Sequence, residues 1–494
     1  LEQIQPSIST GTLHNYAAIG SRGFYNNGGI ILSKFSYQAE HHAPQEQIWN
    51  WHNRRGAFRR LMPEWEQIIP MNSGGIENDA EIIFKVAIGP IRRTWIAKHH
   101  SVIPGESFAD RMVKGPFGAW NHVHQFSTTG EGMTTICDDI EYKLPLHFLT
   151  GWSAEITVLP RIRQMFKYRS ARIDNDLKQI QATAEQPRQK VLVSGSTGMI
   201  GLQLCAFLET AGHDVHRLLR PNSKLPADVN SEKIIRWNDR TGEILEGDMN
   251  GFDTIIHLAG AGIGDKRWSK KRKQLVRDSR VIPTENLSNL ITKLERPPKT
   301  LMCGSAIGFY GDRRKEELTE TSSAGDDFLA DLCSQWEKAT CKAKEAGIRV
   351  LNLRSGIVIT PLGGALVKLL LPAKLGAGGP VGGGRQMQSW ISLDDEVFAI
   401  HHLMMNDSCE GAYNLTSPNA LSQKKFAKIL GRVLRRPAFM PLPGFMIKLL
   451  FGEMGQKLVL EGQNVQPKRL QESGFKFTYT DLEMCLRTCL GKMK

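Results

Sequence analysis

Residues 190–201 constrain the fold of this chain more than any other stretch, and they read Lys-Val-Leu-Val-Ser-Gly-Ser-Thr-Gly-Met-Ile-Gly. A short apolar run, typical of a buried strand, leads into three spaced glycines and then into a helical pattern. Such a turn directs free backbone N–H groups and the positive end of the helix dipole at one point, where a dinucleotide pyrophosphate can bind. The alternative is an ordinary tight turn. The sequence favours a nucleotide-phosphate site formed by Gly195, Ser196, Thr197, Gly198, Met199, Ile200 and Gly201.

Strands and helices alternate from residue 190 onward, which is typical of a doubly wound parallel α/β sheet. The apolar segments of the tail, from about residue 420, have helical spacing and predict a C-terminal cap. The predicted strands are 190–194, 214–219, 233–237, 253–258, 299–304 and 348–354, and the predicted helices are 199–211, 268–293 and 328–346.

The first part of the chain has a different pattern. Residues 1–30 are rich in Gly, Ser and Asn and predict a flexible lead-in. Over 31–178, a strand, an amphipathic helix at 43–61, several alternating strands and a long final helix predict an α+β domain, a curved sheet wrapped around a helix. A polar linker at 179–189 then joins this domain to residues 190–494.

Four ring-bearing residues of the first domain, Trp120, His122, His124 and Phe126, are spaced by two. This spacing places all four side chains on one face of a strand. They line either a ligand cavity or a packed sheet face, and the sequence does not favour one over the other. Two histidines at i and i+2 with no third ligand nearby are poor evidence for a metal, so no metal site is expected.

The element order and the Gly-Pro-Phe-x-x-Trp-x-His-x-His stretch resemble the START-like, polyketide cyclase/dehydrase-like helix-grip domains, over roughly residues 33–175. That resemblance implies a hydrophobic cavity that holds an apolar ligand. It does not imply a defined reaction.

Composition narrows the class of protein. The formal charge is +13, and the densest basic run, residues 266–273, falls in a predicted helix. A solvated helix face explains this run best, attraction of a phosphorylated cofactor or an acidic partner comes second, and no nucleic-acid partner is expected. Eight cysteines are scattered without a Cys-x-x-Cys pair, and no stretch is long enough for a membrane span. We therefore expect a reducing, cytoplasmic location.

Arg220 follows the second predicted strand, about 20 residues beyond the glycine turn. An acidic residue at this position binds the ribose 2′-hydroxyl of NAD, whereas a guanidinium suits the 2′-phosphate of NADP. An ordinary surface arginine is the alternative. The sequence favours NADP as the cofactor.

The strand at 253–258 ends in Leu258-Ala259-Gly260, small residues that let a cofactor pass close to the sheet edge. Ser194-Gly195-x-x-Gly198-x-x-Gly201 and His257-Leu258-Ala259-Gly260 resemble motifs of the extended short-chain dehydrogenase/reductases. The resemblance is closer to their atypical branch, the nucleoside-diphosphate-sugar epimerase-like proteins, whose recurrent pieces appear as Ser279-Arg280-Val281, Arg354-Ser355-Gly356-Ile357-Val358 and Ser389-Trp390-Ile391. It implies that Arg220, Leu258, Ala259 and Arg280 contact NADP and that Val358 lies near the nicotinamide.

The standard proton-transfer pair of such reductases is missing, because none of the eight tyrosines has a lysine four residues later. Leu329 and Cys333 occupy the expected positions. Ser305 and Tyr310 are the remaining candidates for catalysis, and both have a structural alternative. The chain is therefore expected to be an NADP-dependent oxidoreductase or epimerase-like enzyme acting on a small-molecule substrate, or else a non-catalytic NADP-sensing or ligand-carrying protein.

Overall fold

Two eight-stranded sheets organise the chain in the computed structural model, one antiparallel and one mainly parallel. The structure describes residues 25–27, 30–66, 68–72, 75–88, 91–144 and 147–494. The predicted lead-in over residues 1–30 therefore lies outside the described residues, except for Tyr25–Asn27 and Ile30, which belong to strands.

The N-terminal sheet is an antiparallel meander that wraps around one long helix. Its strand order is β1-β2-β8-β7-β6-β5-β4-β3. Phe35 and Tyr37 of the sheet pack against Phe166 of the helix, each with ring centroids 5.6 Å apart. The elements are β1 (Tyr25–Asn27), β2 (Ile30–His41), α1 (Gln45–Asn53), α2 (Gly56–Leu61), β3 (Ile69–Pro70), β4 (Glu81–Ile88), β5 (Ile91–Ile103), β6 (Ser107–Lys114), β7 (Ala119–Gly130), β8 (Met133–Lys143) and α3 (His147–Gln181).

The helix predicted at 43–61 is in fact two helices, so that expectation was wrong. The chain turns at Arg54, whose backbone is extended. The guanidinium of Arg54 donates a 2.6 Å hydrogen bond to the carbonyl of Thr210 in the second half of the protein. A tertiary contact thus breaks a segment whose local pattern favours a continuous helix.

The second sheet has the order β12-β11-β10-β9-β13-β14-β16-β20, and all its pairs are parallel except β11 with β12. Its elements and their connections are β9 (Lys190–Ser194), α4 (Met199–Thr210), β10 (Asp214–Leu219), β11 (Ile234–Trp237), β12 (Ile244–Glu246), β13 (Thr254–His257), α5 (Lys270–Ile291), β14 (Thr300–Ala306), β15 (Glu317–Leu318), α6 (Phe328–Lys338), α7 (Cys341–Glu345), β16 (Arg349–Ser355), β17 (Ile357–Ile359), α8 (Gly364–Lys374), β18 (Met387–Gln388), β19 (Trp390–Ser392), α9 (Leu393–Met405), β20 (Gly411–Leu415), β21 (Leu421–Ser422), α10 (Gln423–Leu434), α11 (Gly444–Gly455), β22 (Asn464–Val465), α12 (Lys468–Glu472) and α13 (Leu482–Cys489).

The doubly wound sheet and the helical tail predicted from the sequence are confirmed. Some details differ. The edge strands β12 and β20 were missed, because short strands carry too few residues for a period to show. The helix predicted at 328–346 is divided between α6 and α7 near Ala339.

The two halves of the protein share one hydrophobic core. Trp49 and Trp51 of α1 belong to the same buried cluster as Phe207 of α4 and Phe398 of α9. Separating the two halves would expose these buried aromatic side chains to water, which is unfavourable. None of the helices in the described ranges is long and apolar enough to cross a membrane.

Candidate functional site

The turn between β9 and α4 requires its glycines. Gly195 has a positive φ of 75°, and a Cβ at this position would lie 2.7 Å from the carbonyl carbon of Leu258. A Cβ on Gly201 would lie 2.3 Å from the carbonyl oxygen of Gly195. The glycines therefore let the turn close tightly and press it against the end of β13.

The N-terminus of α4 is open. The helix begins at Met199 after the extended Gly198, and no described side chain caps it. Thr197 and Gly198 are exposed, so the first N–H groups of the helix are available to an anion. Ser196 is fully buried beside them, and its hydroxyl has no hydrogen-bond partner among the described residues.

Arg280 brings an uncompensated positive charge to the same sheet edge. Its Cζ lies 3.1 Å from the position that a Cβ on Gly260 would take, and 5.1 Å from the ring centroid of Trp336. Its guanidinium donates to the Val276 carbonyl at 3.1 Å, and no described carboxylate forms an ion pair with it. Burial lowers the pKa of Arg280. A half-buried guanidinium without a counter-ion suits an anionic ligand.

Arg220 lies directly beyond the end of β10, where the strand spacing predicted it. It is exposed and forms no ion pair within the described ranges. Two arginines that the sequence analysis did not single out support this region. Arg236 holds the turn by donating to the carbonyls of Arg220 and Pro221, at 3.3 and 2.9 Å, and Arg217 donates to the carbonyl of Ser196 at 3.3 Å.

A cleft of about 530 Å³ opens beside the glycine turn, and both halves of the protein line it. Thr197 and Met199 contribute from the turn, and Met62, Ile68 and Met71 contribute to the opposite wall. An ion pair between Arg59 and Asp228 bridges the two walls. No local sequence pattern predicts this cleft, because it forms between segments that are more than 100 residues apart in the chain.

Val358 lies in β17, paired with Ile391 of β19, and is largely buried. A Cβ on Gly363, a few residues further on, would lie 3.1 Å from the Met199 sulfur. The segment after β17 therefore packs against the start of α4. Val358 belongs to the buried hydrophobic cluster against which Met199, the first residue of α4, packs.

The two residues predicted for catalysis belong to one buried network. Tyr310 donates to Asn414 Oδ1 at 2.7 Å and accepts from Arg354 Nη1 at 3.0 Å. Ser305 donates to Glu337 Oε1 at 2.7 Å, and Glu337 in turn pairs with Arg354 at 2.8 Å. The side chain of Tyr310 is fully buried, and burial raises its pKa. The phenol therefore keeps its proton at neutral pH.

The surface of α6 that would carry a Tyr-x-x-x-Lys pair is apolar. A Cβ on Gly308 would lie 3.2 Å from Leu329 Cβ and 3.8 Å from Cys333 Sγ. Both side chains are buried, and burial raises the pKa of the Cys333 thiol to about 12. Neither side chain can exchange a proton near neutral pH.

In the N-terminal domain, His122 and His124 lie between two carboxylates, those of Asp110 and Asp138. Burial alone lowers the pKa of His122, but its contacts with the two carboxylates reverse this effect and raise the pKa to about 9. Trp120 packs among aromatic rings instead, including that of Trp95 at 5.3 Å. Asp110 was missed from the sequence because it lies on another strand.

Comparisons with known proteins agree with this architecture. Residues 191–416 match the model of the NAD dependent epimerase/dehydratase family, residues 42–167 match that of polyketide cyclase / dehydrase and lipid transport, and residues 442–489 match a domain of unknown function, DUF1731. Both resemblances inferred from the sequence are thereby confirmed.

Individual relatives match from about three fifths to about nine tenths of the chain. Epimerase family protein Mb2239 of Mycobacterium bovis is 38% identical over 292 residues, which cover 59% of this chain and 94% of that protein. The crystal structure of human epimerase family protein SDR39U1 (isoform 2) with NADPH is 31% identical with a TM-score of 0.56, and it covers 62% of this chain and 100% of the human chain. The nucleoside-diphosphate sugar epimerase from Corynebacterium glutamicum is 29% identical with a TM-score of 0.74, and it covers 92% of this chain and 90% of its own.

A glycine turn that opens a helix at the edge of a doubly wound parallel sheet defines a Rossmann-type protein. The extent and identity of these matches define the group more narrowly. The chain belongs to the NAD-dependent epimerase/dehydratase family, and it carries a START-like domain in front of the family fold.

Proposed function

We propose that this chain binds NADP(H) and uses it as an oxidoreductase or epimerase-like enzyme on a small-molecule substrate. One observation supports this proposal most strongly. The uncapped N-terminus of α4 and the guanidinium of Arg280, which has no counter-ion among the described residues, lie at the same edge of the sheet. Both features attract the phosphates of a dinucleotide. The human relative whose crystal structure contains NADPH supports this proposal.

The residues of the turn fit such a cofactor. Gly198 and Met199 would hold the pyrophosphate through backbone N–H groups, and Ser196 would offer its unpartnered hydroxyl. Leu258, Ala259 and Gly260 would line the adjacent sheet edge, with Val358 toward the nicotinamide. When bound, the nicotinamide supplies hydride transfer at its C4 atom.

Arg220 carries the preference for the phosphorylated cofactor. It is exposed and unpaired within the described ranges, and it stands at the end of β10, where an acidic residue would select NAD. A guanidinium at this position forms charge-assisted hydrogen bonds with a 2′-phosphate. Its hydrogen bond with the neutral 2′-hydroxyl of NAD would be weaker. We therefore assign NADP rather than NAD.

Titration of the purified chain with NADPH and NADH, followed by nicotinamide fluorescence, tests this assignment. We expect tighter binding of NADPH, and a loss of about 10- to 100-fold in NADPH affinity for Arg220→Glu. The matched control is Arg296→Glu, which makes the same charge change at an exposed arginine before β14, at the opposite end of the parallel strands from the glycine turn. Equal affinities of the wild-type chain for both nucleotides would overturn the NADP assignment.

A second function is favoured by one observation, the buried and fully bonded state of Tyr310 beside an apolar α6 surface. In that case the chain senses NADP, or carries a ligand in its N-terminal domain, without turnover. A screen of NADPH oxidation against aldehydes, ketones and nucleotide sugars separates the two functions. Turnover that Arg220→Glu abolishes would exclude the sensor, whereas NADPH binding without turnover of any of these substrates would support it.

A further inference from the structure

Four charged or ionisable side chains meet on the inner face of the N-terminal sheet. Asp110 of β6 pairs in register with His122 of β7, and His124 of β7 pairs with Asp138 of β8. His122 also contacts the ring of Phe166 on α3, with centroids 5.6 Å apart. The group therefore lies between the sheet and its central helix, away from the glycine turn.

The contacts of the two imidazoles with the two carboxylates are unequal. One oxygen of Asp138, Oδ1, lies 3.0 Å from His122 Nε2 and 2.7 Å from His124 Nδ1. The other two ring nitrogens face Asp110 Oδ2 at the longer distances of 3.3 and 3.6 Å. The contacts with Asp138 have hydrogen-bond lengths, whereas those with Asp110 are long for a charge-assisted hydrogen bond.

When both imidazoles are neutral, as a bound metal ion requires, this inequality selects one tautomer for each ring. If both imidazoles donate their N–H groups to Asp138, then His122 Nδ1 and His124 Nε2 keep their lone pairs. Those two lone pairs and Asp110 Oδ2 then face one another, and the three ligand atoms all lie within 4.8 Å of one another. A tetrahedral ion with bonds of about 2.1 Å has ligand–ligand edges of about 3.4 Å. The distances of 3.3 and 3.6 Å from Asp110 match such edges.

We propose that Asp110, His122 and His124 bind a divalent transition-metal ion, with Asp138 orienting both imidazoles from behind. A carboxylate that accepts the second N–H of a ligating histidine is a recurrent partner in metal sites, since it sets the tautomer and raises the basicity of the ligand. In this cluster the carboxylate of Asp138 contacts the rings of both His122 and His124. Two imidazoles and one carboxylate are a donor set for zinc or iron(II), and not for magnesium.

One divalent ion neutralises the two negative charges of Asp110 and Asp138 while both imidazoles stay neutral, as two protonated imidazoles do in a metal-free cluster. Three protein ligands also leave a coordination position open. His99 of β5 pairs in register with Asp110, and its Nδ1 bonds to the Gly75 carbonyl at 3.0 Å, which leaves Nε2 without a proton. His99 is therefore a further imidazole beside the site.

The alternative is a metal-free ion-pair cluster in which both rings are protonated. Equilibrium dialysis of the chelator-treated full chain against Zn²⁺, with Mg²⁺ as the contrasting ion, separates the two. We expect one Zn²⁺ per chain that survives buffer exchange, and no Mg²⁺. Replacement by Co²⁺ should give the visible absorption of a four-coordinate ion with nitrogen and oxygen ligands.

Two variants locate the site. Asp110→Asn and His124→Gln should each lower Zn²⁺ affinity by at least about 10- to 100-fold, whereas the matched control His100→Gln, on the neighbouring position of β5, should keep wild-type affinity. Should a variant fail to fold, the zinc stoichiometry and cobalt spectrum of the wild-type chain decide the matter. Absence of stoichiometric zinc from the wild-type chain, or full zinc affinity in both variants, would overturn the proposal and leave an ion-pair cluster.

Discussion

The position of a Cβ on Gly56 lies 1.9 Å from the carbonyl oxygen of Ala206. The backbone of α2 in the START-like domain therefore rests directly on α4, whose N-terminus forms the proposed phosphate site. No side chain can be accommodated at this crossing without moving one helix. The N-terminal domain thus supports the position of α4 through backbone contact.

Gly56→Val should therefore destabilise the whole chain. Overpacking of a close contact costs about 1–3 kcal/mol, and here the obstacle is backbone, which cannot rotate aside. Urea unfolding measures the change in the free energy of unfolding, and Gly130→Val is the matched control because its new Cβ would meet nothing closer than 3.6 Å. A stability equal to the wild type in Gly56→Val would show that the two helices are not held against each other.

Arg60 should be the most sensitive charge at the boundary between the halves. It is buried and donates to Asp176 Oδ2 at 2.9 Å and to Gln203 Oε1 at 3.0 Å, and it also lies 3.3 Å from Asp394. Arg60→Met leaves buried carboxylates without this cation, which should cost about 3–5 kcal/mol in urea unfolding. The double variant Arg60→Met/Asp176→Asn should recover part of that loss. If the changes in unfolding free energy caused by the two substitutions are additive, Arg60 and Asp176 are not energetically coupled.

Glu396 should make the protein less stable as pH rises, which is the opposite of the usual effect of a carboxylate in an ion pair. Its carboxyl accepts a hydrogen bond from Ser355, and its Oε2 has no partner within the described ranges. Burial raises its pKa from 4.5 to about 8. Between these values the unfolded chain has lost the proton and the folded chain keeps it, so rising pH lowers stability by about 1.4 kcal/mol per pH unit.

Glu396→Gln removes this titration. Its unfolding free energy, relative to the wild type, should increase steadily as pH rises from 5 to 8. Urea unfolding at each pH measures the difference, and the control is the same substitution at the exposed Glu472. A difference for Glu396→Gln that does not change with pH would show that the Glu396 carboxyl is ionised in the folded state.

Arg280→Met should separate cofactor binding from stability. The substitution removes a half-buried cation that has no described counter-ion, so the nucleotide-free chain should be as stable as the wild type or more so. The affinity for both NADPH and NADH should fall by about tenfold or more, because both share the phosphates near this position. Lys271→Met, an exposed change on the same helix, should alter neither property. Undiminished nucleotide binding would remove Arg280 from the site.

Tyr310→Phe tests the predicted catalytic role of this residue. The change removes a hydroxyl bonded to Asn414 and Arg354 in a buried network, and it should cost about 1–3 kcal/mol of stability. We expect NADPH oxidation per folded molecule to stay unchanged, since the fully buried phenol keeps its proton. A fall in turnover beyond the fall in folded protein would instead establish a catalytic role for Tyr310.

The sequence determined the elements whose signals are local. The glycine turn, the parallel strands and the helical tail were all predicted, because period, turn residues and strand length are properties of neighbouring residues. The absence of a Tyr-x-x-x-Lys pair is likewise a matter of spacing. The same local rules predicted one helix at 43–61. The structure has two helices there, and Arg54 between them donates a hydrogen bond to the carbonyl of Thr210.

Tertiary structure alone decided which distant residues meet. Asp110 joins His122 and His124 only because β6 and β7 pair in one register, and Arg60 meets Asp394 across 334 residues of chain. The interdomain cleft depends on the same kind of contact. Local pattern specifies a segment's own conformation, whereas long-range pairing depends on how the buried faces of all segments fit together, and no single stretch of sequence contains that information.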